Sequence, residues 1–455
     1  MRVSFALVVW GESYVNDFLE ISLPTLMAEG NLADARDIEG SRFQFLTTPD
    51  DFKRLQASPL VQKLAQMMAI DFVDIAAVSQ RDKYHTVSAC HMEALRQSES
   101  YDAVALLYPD IIWPRGSIRY AIDCLSRGAL ALFSPAPAVL TQPALEAVSK
   151  VAKTTGSANA KVVSIEPQEL AAIALRHYHP MWDGFDWDRD SFGEYPSCVR
   201  WNVLDQGWLI RCFHLHPVIL RVQPEDPRFF NKIELSLDGD YAARLFDSID
   251  RISFATDTSQ FAIVTVRDKE SPPFPSPGNT SSVTKVARWA EANALPMHRA
   301  FFNIAFRWHG GYADEAAWQN IETRSRAIVA EIKDRLHIPD SVLRAEDPTA
   351  YRARVRRARV VSSWNRSRIA LPPSMTQRSR AELIRIFFYN TLYNAARGLL
   401  ALIQGGPLWR WLIKRPSLVK AWQRTNQFLR PKSKIDEAVS GRSLLQNIVH
   451  HTKDT

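Results

Sequence analysis

The first 140 residues alternate between short apolar runs and longer amphipathic segments. The apolar runs have the length and the Val, Ile and Phe content of buried strands, whereas the segments between them repeat apolar residues at helical spacing. In chain order, the predicted strands are VSFALVVW, SRFQFLTTP, IDFVDIAAV, YDAVALLYPDIIW and ALALFSPAP. Strands separated by helices build parallel sheets with helices on both faces. The pattern therefore predicts an α/β, Rossmann-like body.

The ends of these strands are the first place to search for functional residues, because open α/β sheets bind ligands at the carboxyl ends of their strands. Neither GxGxxG nor GxxxxGK[ST] occurs, so a dinucleotide fingerprint and a P-loop are not supported. The apolar run 104–107 leads directly into Tyr108, Pro109 and Asp110. Asp110 is therefore a candidate ligand-binding carboxylate. The alternative is a turn residue that caps the next helix.

Two histidines and a second aspartate are further candidates. If CFHLHPVIL is a strand, His214 and His216 point to the same face and offer two imidazoles to a metal, a phosphate or an acceptor hydroxyl. Pro217 withholds a backbone donor, which favours an edge strand or a strand end. Asp257 ends the apolar run SFATD and is a candidate general base or metal partner. Each is also compatible with ordinary hydrogen-bonded packing.

The charge of the chain is concentrated at one end. Residues 351–455 contain 21 Lys and Arg against 4 Asp and Glu, a net +17, so that residues 1–350 carry −10 of the overall +7. Trp, Phe and Leu are interleaved with these basic residues, as in helices that bind anionic lipid surfaces. Charges interrupt the apolar stretch 384–403, which disfavours a membrane span. We expect peripheral binding to an anionic membrane surface.

Two alternatives for this basic region stay open from the sequence. One is a basic amphipathic helix that packs on its own domain. The other is nucleic-acid binding, which we do not expect because no recognisable reader module is present. The four cysteines are scattered without CxxC spacing, so neither a disulfide framework nor a zinc knuckle is supported, and a cytoplasmic protein is the default.

Composition divides the chain into four parts. We predict an α/β body over residues 1–268 and a Pro- and Ser-rich loop over 269–283. A helical segment that packs on the body follows over 284–345, and a basic, amphipathic helical tail over 346–455.

Several segments resemble one family. The opening VVWGESYVNDFLEISLPTLMAEGNL is similar to the start of bacterial glycosyltransferase-like proteins. The segments GWLIRCFHLHPVIL, SLDGDYAARLFDSIDRISFATDTSQF and ARWAEANALPMHRAFFNIAFRWHGG also resemble that group, and the matches extend over roughly residues 1–335. The resemblance implies the glycosyltransferase A-type fold, with a mixed sheet, in which an Asp after an apolar strand binds the metal and diphosphate of a nucleotide sugar. Here Ile112 occupies the place of the second Asp of that motif.

The resemblance also implies cofactors and their ligands. A nucleotide sugar is the expected donor substrate, with Trp10, Gly11 and Asp110 as its binding residues. A divalent ion, Mn²⁺ or Mg²⁺, is the expected cofactor, with Asp110 and His216 as its ligands.

The predicted activity is the transfer of a sugar to a surface polysaccharide, lipid or protein acceptor at the cytoplasmic face of the inner membrane. Asp257, His214 and His216 are the predicted catalytic residues. Two other functions remain open: a non-catalytic α/β scaffold or interaction protein at the membrane, and a metal-dependent hydrolase that uses the same three residues.

Overall fold

The apolar runs of the sequence form the strands of a computed structural model. The structure describes residues 1–33, 38–77, 83–157, 160–222, 246, 248–269, 278, 280–311 and 314–336. The basic tail predicted over 346–455 and most of the Pro- and Ser-rich loop lie outside the described residues. Within the described part of the chain, no helix is long and apolar enough to cross a membrane.

The strands are numbered in chain order. They are β1 (Val3–Val8), β2 (Arg42–Thr47), β3 (Ala69–Asp74), β4 (Ala103–Leu107), β5 (Ile111–Ile112), β6 (Ala131–Ser134), β7 (Ala138–Leu140), β8 (Lys153–Thr155), β9 (Val162–Ser164), β10 (Cys198–Val203), β11 (Gly207–Cys212), β12 (His216–Arg221), β13 (Ile252–Phe254), β14 (Val264–Arg267) and β15 (Phe306–His309).

The helices follow the same convention. They are α1 (Glu12–Asp17), α2 (Leu23–Leu26), α3 (Pro49–Ala57), α4 (Pro59–Met67), α5 (Lys83–Gln97), α6 (Ser117–Ser126), α7 (Thr141–Val151), α8 (Pro167–His177), α9 (Val283–Asn293), α10 (Pro296–Phe301) and α11 (Glu315–Asp334). A π-helical turn, Phe18–Ser22, joins α1 to α2, and short 3₁₀ helices lie at Ile75–Ala77, Pro180–Phe185 and Ile249–Arg251.

A seven-stranded mixed sheet in the order β13-β6-β12-β4-β1-β2-β3 forms the centre of the fold. The pairs of β1 with β2 and β4, of β2 with β3 and of β6 with β13 are parallel. The strand β12 runs antiparallel to both of its neighbours, β4 and β6. This sheet and its helices are compatible with the Rossmann-like glycosyltransferase fold expected from the sequence.

Helices cover both faces of this sheet because its central strands are apolar on both sides. In β1, Phe5 and Leu7 belong to an apolar cluster that includes buried residues of α3, α4 and α6. Ala6 and Val8 belong to the cluster on the other side, which includes α5 and α8. Alternate residues of a strand point to opposite faces. The continuous apolar runs of the sequence therefore correspond to strands that are buried on both faces.

Pro217 lies at a strand end, which is one of the two positions that the sequence predicts for it. The other, an edge strand, is wrong, because β12 lies inside the sheet, between β4 and β6. Pro217 is its second residue, and the pairing with β6 shifts register between Pro217 and Ile219. A proline is tolerated at the beginning of a strand and at a bulge, where the ladder does not need its missing donor.

A second, three-stranded antiparallel sheet has the order β10-β11-β15. Its buried face packs with α9 and α11 in a cluster rich in tryptophan, to which Trp201, Trp289 and Trp318 belong. The segment 284–345 was predicted to be helical, and residues 306–309 form β15 instead. The sheet is therefore completed by a strand that lies far along the chain from the first two.

The cysteines correct another expectation. Cys198 of β10 and Cys212 of β11 are register partners across the antiparallel ladder, with their Cα atoms 4.1 Å apart, and they form a disulfide. The spacing along the chain gave no sign of this bond, because strand pairing brings the two residues together. Cys90 and Cys124 are free and buried.

A close contact between two glycines joins the loop after α2 to the start of α6. Gly30 has a φ of +74°, and a Cβ atom built on it would lie 2.6 Å from the Cα of Gly116. Two backbone hydrogen bonds of 3.0 Å also join these segments: the N–H of Gly116 donates to the carbonyl of Glu29, and the N–H of Arg119 donates to the carbonyl of Gly30. Any side chain at position 30 therefore strains the backbone and pushes the two loops apart.

Replacing Gly30 with Ala should lower the free energy of unfolding by about 2–4 kcal/mol, because the positive φ and the backbone clash both add cost. Gly128→Ala is the matched control, since Gly128 has a φ of +100° and a Cβ atom placed on it would meet no other atom within 4 Å. The free energy of unfolding of Gly128→Ala should fall by only about 1–2 kcal/mol. Chemical denaturation measures both, and equal losses would show that the contact with Gly116 is unimportant.

Candidate functional site

The candidate site lies where the winding of the main sheet reverses. From β1 the chain adds β2 and β3 on one side, and then returns to add β4 on the other side. Open α/β sheets bind ligands outside the carboxyl ends of the strands at this reversal point. Trp10 and Gly11 follow β1, and Asp110 follows β4. The residues predicted to bind the donor therefore lie at the ends of two adjacent strands.

The turn after β1 is fixed by backbone contacts. Gly11 has a φ of +82°, a conformation that favours glycine, and it precedes the first residue of α1. Its backbone N–H donates to Oδ2 of Asp51 at 2.9 Å, and the hydroxyl of Thr48 donates to the same oxygen at 2.9 Å. Trp10 is half-buried and Gly11 is exposed. The turn thus presents its backbone and an aromatic ring at the sheet edge.

A small sheet, β5-β14-β7, holds the segment that carries Asp110. The backbone N–H of Val266 donates to the carbonyl of Asp110 at 2.8 Å. Ile112, which stands in the place of a second aspartate, is fully buried and pairs with Val264 of β14. Asp110 is therefore held between β4 of the main sheet and β5 of the small sheet. Only one carboxylate of the aspartate motif is present, because Ile112 replaces the second.

Asp110 is a carboxylate in a poorly solvated position. Burial raises the pKa of Asp110 to about 6, and the negative charge of Asp17 adds to that rise. Hydrogen bonding from its own backbone and the positive charge of Arg267 act in the opposite direction. Burial also raises the pKa of Asp17, with further contributions from Asp268 and Glu20. Several acidic groups and one arginine therefore share this edge of the sheet.

We call this group the strand-end cluster. Its members are Asp17, Asp110, His179, Arg267 and Asp268. They come from four separate stretches of the chain: the end of α1, the turn after β4, the loop after α8, and the end of β14 with the residue that follows it.

His179 is the buried member of the cluster, with 2% of its surface exposed. Its Nδ1 accepts a hydrogen bond from the N–H of Met181 at 3.2 Å, so its proton lies on Nε2. Nε2 makes no hydrogen bond within the described residues. Burial lowers the pKa of His179, Arg267 lowers it further, and the nearby backbone of Asp268 opposes this change.

A buried ion-pair network holds the segment that carries His179. Arg200 of β10 is 1% exposed, and its Nε donates to the carbonyl of Trp182 at 2.9 Å. The same guanidinium pairs with the buried carboxylate of Asp186 at 3.1 Å and with Asp183 at 3.3 Å. Since these partners belong to the turn that begins at His179, the second sheet fixes the position of that imidazole.

His216 lies at the same edge of the main sheet, although it begins its strand. The strand β12 is antiparallel, so its first residue lies beside the carboxyl end of β6 and pairs with Ser134. The ring of His216 packs against Tyr108 with centroids 5.1 Å apart, and Tyr108 in turn contacts His91 at 5.5 Å. His216 is therefore next to the turn that carries Asp110.

His214 has different surroundings. The strand β11 ends at Cys212 and β12 begins at His216, so His214 lies in the connection between them. Its ring contacts His298 at 4.4 Å and Trp289 at 5.8 Å. The assumption that the two histidines share one strand, and therefore one face, is wrong.

Asp257 lies after β13, the edge strand of the main sheet on the side of β4. It follows β13, three strand spacings from β4, which corresponds to about 14 Å. Its Oδ1 accepts hydrogen bonds from Nε2 of His309 at 3.1 Å and from the N–H of Ser259 at 2.8 Å. Although burial opposes ionisation, the bonds from His309 and Ser259 hold the pKa of Asp257 well below its usual range.

These contacts make Asp257 a poor general base, since an efficient base has a pKa close to the working pH. Nδ1 of His309 accepts from the N–H of Gly311 at 3.3 Å, so both ring nitrogens of His309 are engaged. The hydroxyl of Thr258 also donates to the backbone carbonyl of His309 and accepts from the backbone N–H of His309. These bonds join the segment after β13 to β15 of the second sheet. The role of Asp257 is therefore structural.

Few side chains near Asp110 could bind the metal that the resemblance implies. Ile112 offers none, and the cationic Arg267 acts on Asp110 from nearby. Within the described residues, no three His, Cys, Asp or Glu side chains come together as a potential metal site. This donor set does not fit a divalent ion.

Arg267, Asp268 and Asp17 are not among the residues predicted from the sequence. Arg267 and Asp268 follow the apolar run FAIVTV, which is the same pattern of an apolar strand leading into a charge that identified Asp110. In the predicted division of the chain they are the last two residues of the α/β body, next to the Pro- and Ser-rich loop. Asp17 gave no comparable signal, because one acidic residue in an amphipathic helix is ordinary.

Comparisons with known proteins give little beyond this geometry. No protein-family model matches the chain, and no curated protein matches it in sequence. Among solved structures, the chain is similar to the apo crystal structure of mouse xyloside xylosyltransferase 1, with 11% identity and a TM-score of 0.22. That match covers 33% of this chain and 59% of the mouse chain, less than two thirds of its length. At this level of similarity, function must be inferred from the chain's own geometry.

Asp257→Asn tests whether Asp257 is a structural link. A carboxylate with a lowered pKa in the folded state stabilises the protein above its unfolded pKa, and this contribution is lost as the pH falls. At pH 7 the variant should lose about 1.5–3 kcal/mol of unfolding free energy, the value of hydrogen bonds to a charged group. The difference from the wild type should shrink below about pH 4.

Urea denaturation across this pH range measures the effect. Asp250→Asn is the control, because Asp250 is exposed and bonds only to the neighbouring Ser248 among the described residues. Stability of Asp257→Asn equal to that of the control would contradict the structural assignment.

Proposed function

We propose that the chain is a glycosyltransferase that moves a sugar from a nucleotide-activated donor to a glycan, lipid or protein acceptor. The observation that supports this most is the position of Trp10, Gly11 and Asp110 at the reversal point of a seven-stranded mixed sheet. The donor lies across the ends of β1 and β4, with its base near the Trp10–Gly11 turn and its diphosphate and sugar toward Asp110.

Asp110 and His216 are then the residues next to the reacting sugar. A half-buried carboxyl group with a pKa of about 6 exchanges protons near neutral pH, as a general acid or base must. His216 lies beside the same turn, through its contact with Tyr108. Of the three residues predicted to be catalytic, His216 is the one whose position suits contact with substrate.

The alternative of a metal-dependent hydrolase gains no support from these positions. It requires His214, His216 and Asp257 to share one ion, and their described contacts are to different partners: Trp289 and His298, Tyr108, and His309. A non-catalytic scaffold differs from the transferase in one measurable property, the binding of donor.

A panel of nucleoside diphosphates and nucleotide sugars, screened by thermal shift and calorimetry, tests the proposal. A ligand that binds only the folded state raises the apparent stability. At least one nucleotide sugar should stabilise the wild type, and Asp110→Asn should lower the affinity for that nucleotide sugar by about tenfold or more, because the contact of the carboxylate with the sugar is lost.

The unfolding of Asp110→Asn separates loss of function from loss of fold. Because the pKa of Asp110 is raised to about 6, the folded state carries a poorly solvated charge at pH 7.5. Its contribution to stability is therefore present at acid pH and lost as the pH rises past 6. The variant should be more stable than the wild type by about 1–3 kcal/mol at pH 7.5, and the gain should disappear near pH 4. Unchanged affinity for the nucleotide sugar would remove Asp110 from the donor site.

We further propose that the basic tail brings this activity to an anionic membrane surface. Residues 351–455 carry a net charge of +17. Basic residues near an anionic surface contribute about 1 kcal/mol each, and this attraction is screened by salt. The Trp, Phe and Leu side chains of the tail add an apolar term that salt does not weaken.

Deletion of residues 381–455 should abolish binding to vesicles that contain phosphatidylserine, as measured by flotation. Raising the salt concentration should weaken binding of the full chain only in part, because the apolar term remains. Nucleotide affinity should survive the deletion, which makes it the internal control for folding. Equal flotation of the full chain with neutral and anionic vesicles would contradict an electrostatic membrane anchor.

A further inference from the structure

A nucleotide-sugar donor, if it binds as proposed above, brings a diphosphate to an acidic edge of the sheet. Asp17 acts electrostatically on Asp110 there, and Asp268 acts on Asp17. Like charges in a poorly solvated position repel strongly. A bound diphosphate therefore requires a positive group at this edge, and the described carboxylates do not form a metal site.

Arg267 is the positive group that the fold supplies. It is the last residue of β14, and β14 is held on one side by β5 and on the other by β7. Its Nη1 donates to Sδ of Met181 at 3.2 Å, and a thioether is a weak acceptor. Within the described residues, no carboxylate lies within 4.0 Å of its guanidinium. Most of its donors are therefore available to an anion.

His179 offers a second donor at the same place. Its Nε2–H is buried and has no hydrogen-bond partner of good geometry within the described residues, although the backbone of Asp268 acts on the imidazole. Buried polar groups in folded proteins are nearly always paired, so a phosphate oxygen that reached this N–H would complete its hydrogen bonding. Arg267 is close enough to His179 to influence its protonation.

We propose that Arg267, assisted by His179, binds the diphosphate of the donor and supplies the charge that the family resemblance assigns to a divalent ion. The planar guanidinium suits phosphate because it donates two parallel hydrogen bonds. Asp110 is then free to contact the sugar or the acceptor hydroxyl. Donor binding consequently does not need Mn²⁺ or Mg²⁺.

Calorimetry with UDP, GDP, ADP, CDP and dTDP tests this assignment, each in EDTA and again with added Mn²⁺ or Mg²⁺. The nucleotide that binds best should keep its affinity in EDTA. Arg267→Gln should weaken it by about tenfold or more, since hydrogen bonds to charged phosphate are lost. Arg267→Lys should fall in between, because it keeps the charge and loses the fork.

His179→Asn isolates the imidazole. The Asn side-chain oxygen can replace Nδ1 as the acceptor for Met181 and cap the turn, so only Nε2 is removed. It should weaken nucleotide binding by about three- to tenfold. Arg326→Gln is the control, because Arg326 is exposed on α11 and its loss changes the net charge equally. Thermal unfolding of each variant confirms that it is folded.

Two outcomes overturn the inference and differ in what they leave standing. Nucleotide binding that requires a divalent ion and is unchanged in Arg267→Gln refutes the role of Arg267 and leaves the transferase proposal intact. No nucleotide binding under either condition refutes the transferase proposal, and the assignment of Arg267 with it.

Discussion

The parallel pairing of β1 with both β2 and β4 decides where each candidate functional residue lies. Because β2 lies on one side of β1 and β4 on the other, the winding of the sheet reverses between β1 and β4. The turns after β1 and β4 flank this reversal point. The small sheet β5-β14-β7 then depends on the turn after β4, since β5 continues from it. Trp10, Asp110 and Arg267 thus owe their proximity to backbone hydrogen bonds and not to contacts among their own side chains.

Two aspartates at this sheet edge show how environment separates residues of one type. Asp110 is desolvated with acidic neighbours, whereas Asp257 accepts hydrogen bonds from His309 and Ser259. Burial raises the pKa of the first to about 6, and the hydrogen bonds hold the pKa of the second well below its usual range. Pairs of carboxyl groups with such divergent environments have divergent roles, chemical for one and structural for the other.

Local patterns predicted the strands, the helices and the strand-end position of Asp110, because each depends on neighbouring residues in the chain. What was missed depends on pairing between distant segments. The bond of Asp257 to His309, the facing of Cys198 and Cys212 and the central place of β12 follow from strand partners that no local pattern specifies. Arg267 carried a local signal, which the adjoining Pro- and Ser-rich composition concealed.

The antiparallel course of β12 has a consequence for how this protein can change over time. The chain enters the main sheet from β11 of the second sheet after three residues, and it returns to the second sheet at β15 after β13 and β14. The two sheets therefore share one continuous, interwoven path. Neither can be exchanged for a foreign module by a single cut and splice, so diversity in this architecture must arise by point substitution and by loop insertion.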